Sequence, residues 1–532
     1  MTASGQAWAE RWLPRRWALW VAVPFLIVAV VSARRLVSGG GAALWSILTQ
    51  QQAVLLRTAV YAAATATTAT VLGWALAHSF RVLAFPGRRL VHRLVLAALL
   101  MPSFTFAMAL VILVGHGGYV SQVLGGPPLE IYGLVGLVTG GSLARLPYAY
   151  LILLVAYRSV DRTHLEAADL VGASGWQTMR AVVWPRLRGT LVVAWLMVFA
   201  DAAADLANPL VIGGDYRVVA SRLYEAVIAE SDLSSAVAYG VLLVLPASGA
   251  WLATSRLHRW RSSPSPATVA VKRRPTGWQW LLPGLAWFVA GTIALLMATV
   301  CFASLWLGPG VGLHAYRAVL SGPSTRAVAT TVLLALICVP AALLAGVTLG
   351  VRAATSPDQL AWAQRFWSSL VAIPSLVLGL GGLLVWFSIR ELGGGPWPVL
   401  GPLAMIGMVL ILRMVPAVAV STLGAVRPFV PHARDTATLL GARGFDLVRS
   451  FYLPRLRPTI REATVMTAAR ALTATSSVIL LADVEVPILT ARMLVEVDAG
   501  RLATASAMAV TLGALVAAAG LFVWGWADDR SR

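Results

Sequence analysis

Three polar residues lie close together in an otherwise apolar stretch. Asp201, Asp205 and Asn208 follow one another at intervals of four and three residues, and on a helix this spacing places them on one face. An ionised side chain at membrane depth costs about 2.5–3.5 kcal/mol on insertion scales, so it usually faces a protein interior or a water-filled path. We expect this face to line a path suited to a cationic or metal-chelate solute. The alternative is that both acids form structural ion pairs with Arg145 or Arg413, or cap a broken helix.

A second polar group is uncharged. Thr475 and Ser476 lie beside Thr473 and Ser477, and small hydroxyl residues of this kind permit close helix packing. Packing and solute contact both stay open for Thr475 and Ser476.

The sequence offers little to support catalysis. The histidines are scattered without the spacing of metal ligands, so we predict neither a metal site nor catalytic residues. The single lysine, Lys272, follows Val-Ala-Val rather than a glycine-rich loop, whereas a phosphate-binding loop needs a lysine directly after Gly-x-x-x-x-Gly. We therefore expect no cofactor on this chain, and any ATP hydrolysis must occur on a partner.

The elements that position these residues are membrane helices. The chain has 532 residues, of which 58% are hydrophobic and 12% charged, and its mean hydropathy is +0.78; soluble domains carry about twice that fraction of charge. Apolar runs long enough to cross a bilayer recur throughout. The class is therefore an all-α polytopic membrane protein, with about twelve transmembrane helices expected near 17–37, 54–79, 93–115, 132–156, 189–212, 235–256, 279–306, 326–351, 366–389, 398–423, 460–483 and 503–526.

Arginine placement predicts the orientation. The net charge is +20, and the arginines cluster in alternate short loops, which is typical of cytoplasmic loops rather than of nucleic-acid binding. Both termini are then cytoplasmic, with Arg34 and Arg35 as exceptions on the outer side. The polar, basic segment 258–278 is expected to be a cytoplasmic linker.

The chain contains an internal repeat. EAADLVGASGWQTMRAVVWPRLRG at 166–189 aligns without gaps with DTATLLGARGFDLVRSFYLPRLRP at 435–458, at a constant offset of 269 residues. This predicts two parallel modules of six spans, 1–257 and 279–532. Each loop should form two short helices with an acid in the first turn, a glycine turn, an apolar stripe and a closing proline. A stripe facing water needs the membrane surface or a partner's groove to cover it.

These loops resemble the EAA coupling motif of binding-protein-dependent ABC importer permeases. The second copy departs from it, because Asp435 replaces glutamate and Thr436 replaces the first alanine. The two-module chain is similar to the fused iron(III)/thiamine type, as are FPGRRL at 85–90 and the stretch 197–227. The positions to which the resemblance assigns coupling are Glu166, Ala167, Ala168, Gly172, Trp176, Pro185, Asp435, Gly441, Phe445 and Pro454.

The resemblance implies a type I importer fold and two kinds of partner protein. Loops 160–189 and 432–458 would dock on an ATPase dimer at the cytoplasmic face, and an extracytoplasmic solute-binding protein would deliver the solute. The location would be the bacterial inner membrane, within lipid, and the solute would be iron(III) first, with thiamine or a phosphonate next.

Two other classes of membrane protein share some of these features. An ion-coupled transporter of the major facilitator type also has twelve spans in parallel halves, but it would not explain the duplicated loop. A membrane enzyme would need a polar cluster, and the available candidates lie in the outer loop at Asp215, Tyr216, Glu225, Glu230 and Asp232.

Overall fold

The structure is a computed structural model. It describes residues 16–116, 118–120, 130–157, 160, 162–257, 274–275, 277–306, 312–355, 357–393, 400–426, 452–483 and 485–528. Nine helices in these ranges are long and apolar enough to cross a membrane, or eleven if each of two sharply bent helix pairs forms one span. The predicted all-helical membrane class is confirmed.

The first half of the chain contains twelve α-helices in the described ranges. In chain order they are α1 Arg16–Arg35, α2 Gly41–Gln50, α3 Gln52–Val82, α4 Arg88–Ala97, α5 Thr105–Val114, α6 Leu134–Ala156, α7 Arg162–Leu170, α8 Gly175–Thr178, α9 Trp184–Ala203, α10 Ala207–Ile212, α11 Val219–Ile228 and α12 Leu233–Leu257.

The second half repeats much of this order. Its described helices are α13 Leu281–Trp306, α14 His314–Val319, α15 Pro323–Thr355, α16 Pro357–Val371, α17 Ser375–Glu391, α18 Leu400–Val426, α19 Leu453–Leu472, α20 Leu489–Asp498 and α21 Leu502–Asp528.

Two predicted spans are bent. The span expected near 93–115 turns by 104° between Arg88–Leu100 and Thr105–Val114, and the span near 366–389 turns by 87° between Trp362–Val371 and Ser375–Glu391. Pro102 and Pro374 lie at these breaks, where a missing N–H and a fixed φ interrupt the helix.

Two other predicted spans, 189–212 and 460–483, end earlier than expected. Helix α9 ends at Ala203 and α19 at Leu472, and these residues are separated by the repeat offset of 269. Helix α19 carries Arg455, Arg457, Arg461, Glu462 and Arg470, and it is not among the apolar candidate spans.

The two halves have matching internal packing. Helix α3 packs along α6, and α15 packs along α18. A Cβ added at Gly73 would lie 2.9 Å from the backbone nitrogen of Tyr150, and one at Gly346 would lie 2.5 Å from Cβ of Val418. Glycine therefore allows the same close helix approach in both halves.

The short helices α11 and α20 are also anchored alike. The backbone N–H of Val219 donates to Thr58 Oγ1, and that of Leu489 donates to Thr331 Oγ1, each at 2.9 Å. In both cases a hydroxyl on a long helix satisfies an N–H that the first helical turn leaves free.

The first helix of each half packs on the opposite half. Helix α1 contacts α17, and α13 contacts α4 and α5. The indole of Trp287 in α13 donates to the carbonyl of Pro86 at 3.3 Å. Arg35, at the end of α1, forms a 2.7 Å ion pair with Glu391 at the end of α17. This contact gives a partner to one of the two arginines that departed from the orientation rule.

Replacing Gly73 by alanine should destabilise the protein, because the new methyl group meets backbone that cannot move aside. We expect a loss of roughly 1–3 kcal/mol, as for other overpacked sites. Gly291→Ala is the control, since nothing lies within 4 Å of its added Cβ. The measurement is the thermal unfolding midpoint of the detergent-solubilised chain. Equal midpoints for the two variants would contradict the close approach of α3 and α6.

Candidate functional site

The predicted acidic face exists, but one continuous helix does not form it. Asp201 lies in α9, Asp205 in the break between α9 and α10, and Asn208 in α10. Pro209 explains the break, because its nitrogen cannot donate to the carbonyl of residue 205 and a proline is tolerated within the first turn of a new helix. The expectation of an uninterrupted helix from 189 to 212 was therefore wrong, although the three side chains do converge.

Arg145 connects the two acids. Its Nε donates to Asp201 Oδ2 at 2.7 Å, and its Nη2 lies 3.3 Å from Asp205 Oδ2. The side chains of Arg145 and Asp205 are only 6% and 3% exposed, whereas that of Asp201 is 70% exposed. The pairing with Arg145 that was considered as the alternative is thus present. Asp201 nevertheless presents most of its side chain to open space.

Asp205 has two further partners, of which the sequence singles out Asn208 but not Tyr61. Its Oδ2 accepts hydrogen bonds from Tyr61 Oη at 2.8 Å and from Asn208 Nδ2 at 2.6 Å. Tyr61 is fully buried in the segment YAAATATTAT, and an isolated tyrosine among small residues was the signal available. A carboxylate removed from water needs several donors of this kind to replace its lost hydration. Asp205 therefore fixes α3, α6 and α10 to one another.

The second half has a different set of groups at the matching place. Arg413 Nη1 donates to Ser477 Oγ at 3.3 Å. At the repeat offset, Asp201 corresponds to Arg470, and Met197 to Met466. Both methionines are exposed. The two halves therefore present opposite charges at equivalent positions.

Thr475 and Ser476 lie beyond the end of α19. Thr475 is buried and its hydroxyl donates to the carbonyl of Thr473 at 3.3 Å, while Ser476 is half-buried. A Cβ added at Gly379 would lie 2.6 Å from the carbonyl oxygen of Ser477. This segment is thus closely packed against α17, and a solute contact by Thr475 or Ser476 stays a prediction.

The first repeated loop is a helix, a glycine turn and a second helix. Gly172 has φ +71°, a conformation that favours glycine. Ser174 caps α8: its backbone N–H donates to Gln177 Oε1 at 2.7 Å, and its Oγ accepts from the Gln177 N–H at 3.3 Å. The predicted helix–turn–helix is present. Glu166 is not in the first turn as expected, because α7 begins at Arg162 and no helix breaker separates these residues.

The proline of this loop does not end a helix. Residues Gly175–Ala203 form one helical span, with a π-helical turn at Met179–Val183, just before Pro185. Proline has no N–H to donate, and its ring would clash with the preceding turn of an α-helix. A π turn widens the backbone there and so accommodates it. The expected break at Pro185 is therefore replaced by this turn.

Apolar side chains at the glycine turn face away from the protein. Leu170, Val171 and Trp176 are 88%, 81% and 62% exposed. Val183, expected to continue the stripe, is instead buried. The exposed apolar surface is thus concentrated around Gly172. Ala167 and Pro185 are exposed, and Glu166 and Ala168 are half-buried.

Most of the second loop lies outside the described residues. This applies to Asp435, Gly441 and Phe445. Pro454 is described, in the first turn of α19, where it is exposed.

Three of the acids between α10 and α12 make structural contacts. Arg222 Nη1 lies 2.5 Å from Glu225 Oε2 and 3.1 Å from Glu230 Oε1. Asp232 Oδ1 accepts from the backbone N–H groups of Ser234 and Ser235. Hydrogen bonding from the Ser235 side chain, together with these backbone donors, holds the pKa of Asp232 below its usual value. These acids therefore cap and brace helices at this end of the bundle.

Comparison with known proteins agrees with this architecture. Residues 69–260, from the middle of α3 to the end of α12, match the family described as binding-protein-dependent transport system inner membrane component. This part of the chain is therefore similar to the permeases of that family. The resemblance inferred from the repeated loops is therefore confirmed.

Similar proteins include two named for ferric transport. A putative ferric transport system permease protein of Haemophilus influenzae, FbpB 1, is 24% identical over 71% of this chain and 62% of its own length. The ferric transport system permease protein FbpB of Actinobacillus pleuropneumoniae is 25% identical over 81% of this chain and 64% of its own. The thiamine transport system permease protein ThiP of Brucella abortus is 28% identical over 29% of this chain and 30% of its own length. The matched region thus spans less than two thirds of each of these permeases.

The Arg145 cluster yields a stability prediction. Arg145→Met should destabilise the chain by roughly 3–5 kcal/mol, because it leaves Asp205 buried and charged without its cation. Adding Asp205→Asn should recover part of that loss, because the uncompensated charge is then removed. Thermal unfolding of the single and double variants gives the coupling. If the double variant lost the sum of both single effects, the pairing would be disproved.

Proposed function

We propose that this chain is the membrane-spanning subunit of an ATP-driven ABC importer in the bacterial inner membrane, with both termini in the cytoplasm. The permease domain at 69–260 supports this proposal. Because the only lysine is not in a phosphate-binding loop, ATP is hydrolysed by a separate ATPase dimer. The relatives named for ferric transport favour iron(III) as the solute. Thiamine and phosphonates are the next candidates.

The observation that carries the proposal is the exposed apolar surface at the glycine turn of loop 160–189. Leucine, valine and tryptophan side chains are more stable buried against a partner than exposed to water. A helix pair with such a surface fits an apolar groove. The groove belongs to the ATPase, and the loop transmits its movement into α9, since Gly175–Ala203 is one helical span. The equivalent loop, 432–458, serves the second ATPase subunit.

Two modules, 1–257 and 279–532, enclose the solute path, joined by the linker 258–278. The matching anchors at Thr58 and Thr331 support this division. The exposed carboxylate of Asp201 lines the path, while Asp205 and Asn208 hold it in place. The outer helices α11 and α20 lie at the end opposite to the coupling loop. There they receive a solute-binding protein.

Coupling predicts a sharp dependence on residue 172. Gly172→Val should abolish ATPase co-purification and ATP-dependent uptake, because a β-branched residue is disfavoured at positive φ. Gly172→Asn is the matched control, since asparagine tolerates this conformation and nothing lies within 4 Å of the added Cβ. The measurement is pull-down of the co-expressed ATPase encoded beside this chain. Equal recovery with both variants would refute the docking role.

The solute path predicts a transport defect without a stability defect. Asp201→Asn should reduce uptake of radiolabelled ferric iron into proteoliposomes roughly tenfold, as for one lost charge-assisted contact. Its unfolding midpoint should change little, because Asp201 is largely exposed. Asp215→Asn, in an exposed loop, is the control. Full uptake by Asp201→Asn would remove this residue from the path.

A further inference from the structure

The second half of the bundle places two arginines opposite Asp201. Arg413 is in α18 and Arg470 in α19. Asp201 and Arg470 both lie within electrostatic range of Arg413, although Asp201 belongs to the other half of the chain. Helices α18 and α19 pack against each other, so the two arginines lie on neighbouring helices and Arg413 is close to both other charges.

The repeat relates Arg470 to the acid of the first half. It occupies the position equivalent to Asp201, and Met466, one turn earlier, is exposed like its counterpart Met197. Arg470 itself is half-buried. The same helix face thus carries a carboxylate in one half and a guanidinium in the other.

Neither arginine has a carboxylate at ion-pair distance within the described part of the chain. The contact made by Arg413 is the hydrogen bond with Ser477, whose side chain is fully buried. Asp201 and Asp205 are already engaged by Arg145. Within the described residues, the two arginines thus have one hydroxyl partner between them. The group formed by Asp201, Asp205 and Arg145 has a net charge of −1.

This arrangement is unfavourable unless something else binds there. Like charges at membrane depth repel, and intramembrane ionisable groups usually mark a ligand or ion path. Guanidinium groups present planar pairs of donors that match the oxygens of carboxylates, phosphates and phosphonates. An oxyanion between the two arginines would satisfy their free donors.

We propose that Arg413 and Arg470 form a binding site for an oxyanion group of the transported solute. The proposal rests on the proposed importer function and specifies its solute class. The oxyanion group of such a solute binds the two arginines. The rest of the solute can then contact the carboxylate of Asp201. Iron(III) therefore crosses together with an oxyanion ligand, and a purely cationic organic solute is disfavoured.

Binding to the purified full-length chain in detergent tests the proposal without any ATPase. The thermal unfolding midpoint is measured against increasing inorganic phosphate, citrate, ferric citrate or thiamine, at constant ionic strength so that screening does not change. We expect phosphate and citrate to raise the midpoint. Arg413→Gln and Arg470→Gln should each weaken the apparent affinity roughly tenfold or more, and the double variant should show no stabilisation.

Matched variants separate binding from folding. Arg317→Gln removes an exposed arginine from α14 and should bind as the wild type does. Arg413→Lys and Arg470→Lys retain the charge but lose the paired donors, so they should bind with intermediate affinity. The lysine variants also provide the binding comparison if the glutamine variants do not unfold cooperatively.

The probes distinguish the sources of the oxyanion. Stabilisation by phosphate and citrate alone supports a solute that itself carries the group. A larger effect of ferric citrate, lost in the same variants, supports an oxyanion bound to the metal. Stabilisation by thiamine with no effect of any oxyanion would overturn the proposal, as would equal phosphate binding by the double variant and Arg317→Gln. Failure of ATPase co-purification would count against the importer function and leave this binding result unaffected.

Discussion

The guanidinium of Arg145 is the group on which the centre of the first half depends. In a low-dielectric interior a buried carboxylate is stable only with a cation and hydrogen-bond donors close by. Arg145 supplies the cation for Asp205, and Tyr61 and Asn208 supply donors from α3 and α10. The helix break before Pro209 brings these groups together. The interrupted backbone is thus held in place, because three side chains from different helices contact the same carboxylate oxygen, Asp205 Oδ2.

Pseudo-symmetry of the backbone coexists with asymmetry of charge. The halves share the close helix approaches at Gly73 and Gly346 and the hydroxyl anchors at Thr58 and Thr331. At the centre, however, one half has an acid where the other has Arg470. The close helix contacts were therefore preserved in both copies, because any larger side chain at these positions would clash with the neighbouring helix. The charged side chains diverged, because Asp201 pairs with Arg145 in the first half whereas Arg470 occupies the equivalent position in the second.

Much of this architecture could be predicted from the sequence. The apolar runs gave the helical membrane class, and the constant offset between the two loops gave the repeat, because both are properties of local composition and spacing. The acids were identified because charge is rare in such runs. A broken helix was only an alternative and its end at Ala203 was not predicted, since hydropathy does not distinguish a continuous helix from one interrupted near Pro209. Tyr61 was missed because its importance comes from a carboxylate 144 residues away. The π turn before Pro185 likewise depends on backbone geometry that no residue pattern reports.

The exchange of first helices has a consequence for how the chain is made. Helix α13 can settle against α4 and α5 as soon as it enters the bilayer, because these segments precede it in synthesis. Helix α1 is in the opposite situation, since its main neighbour, α17, is translated more than three hundred residues later. During that interval the leading helix remains in lipid without its final neighbour. Assembly of this membrane protein is therefore completed late, when the helices of the second half pack against α1.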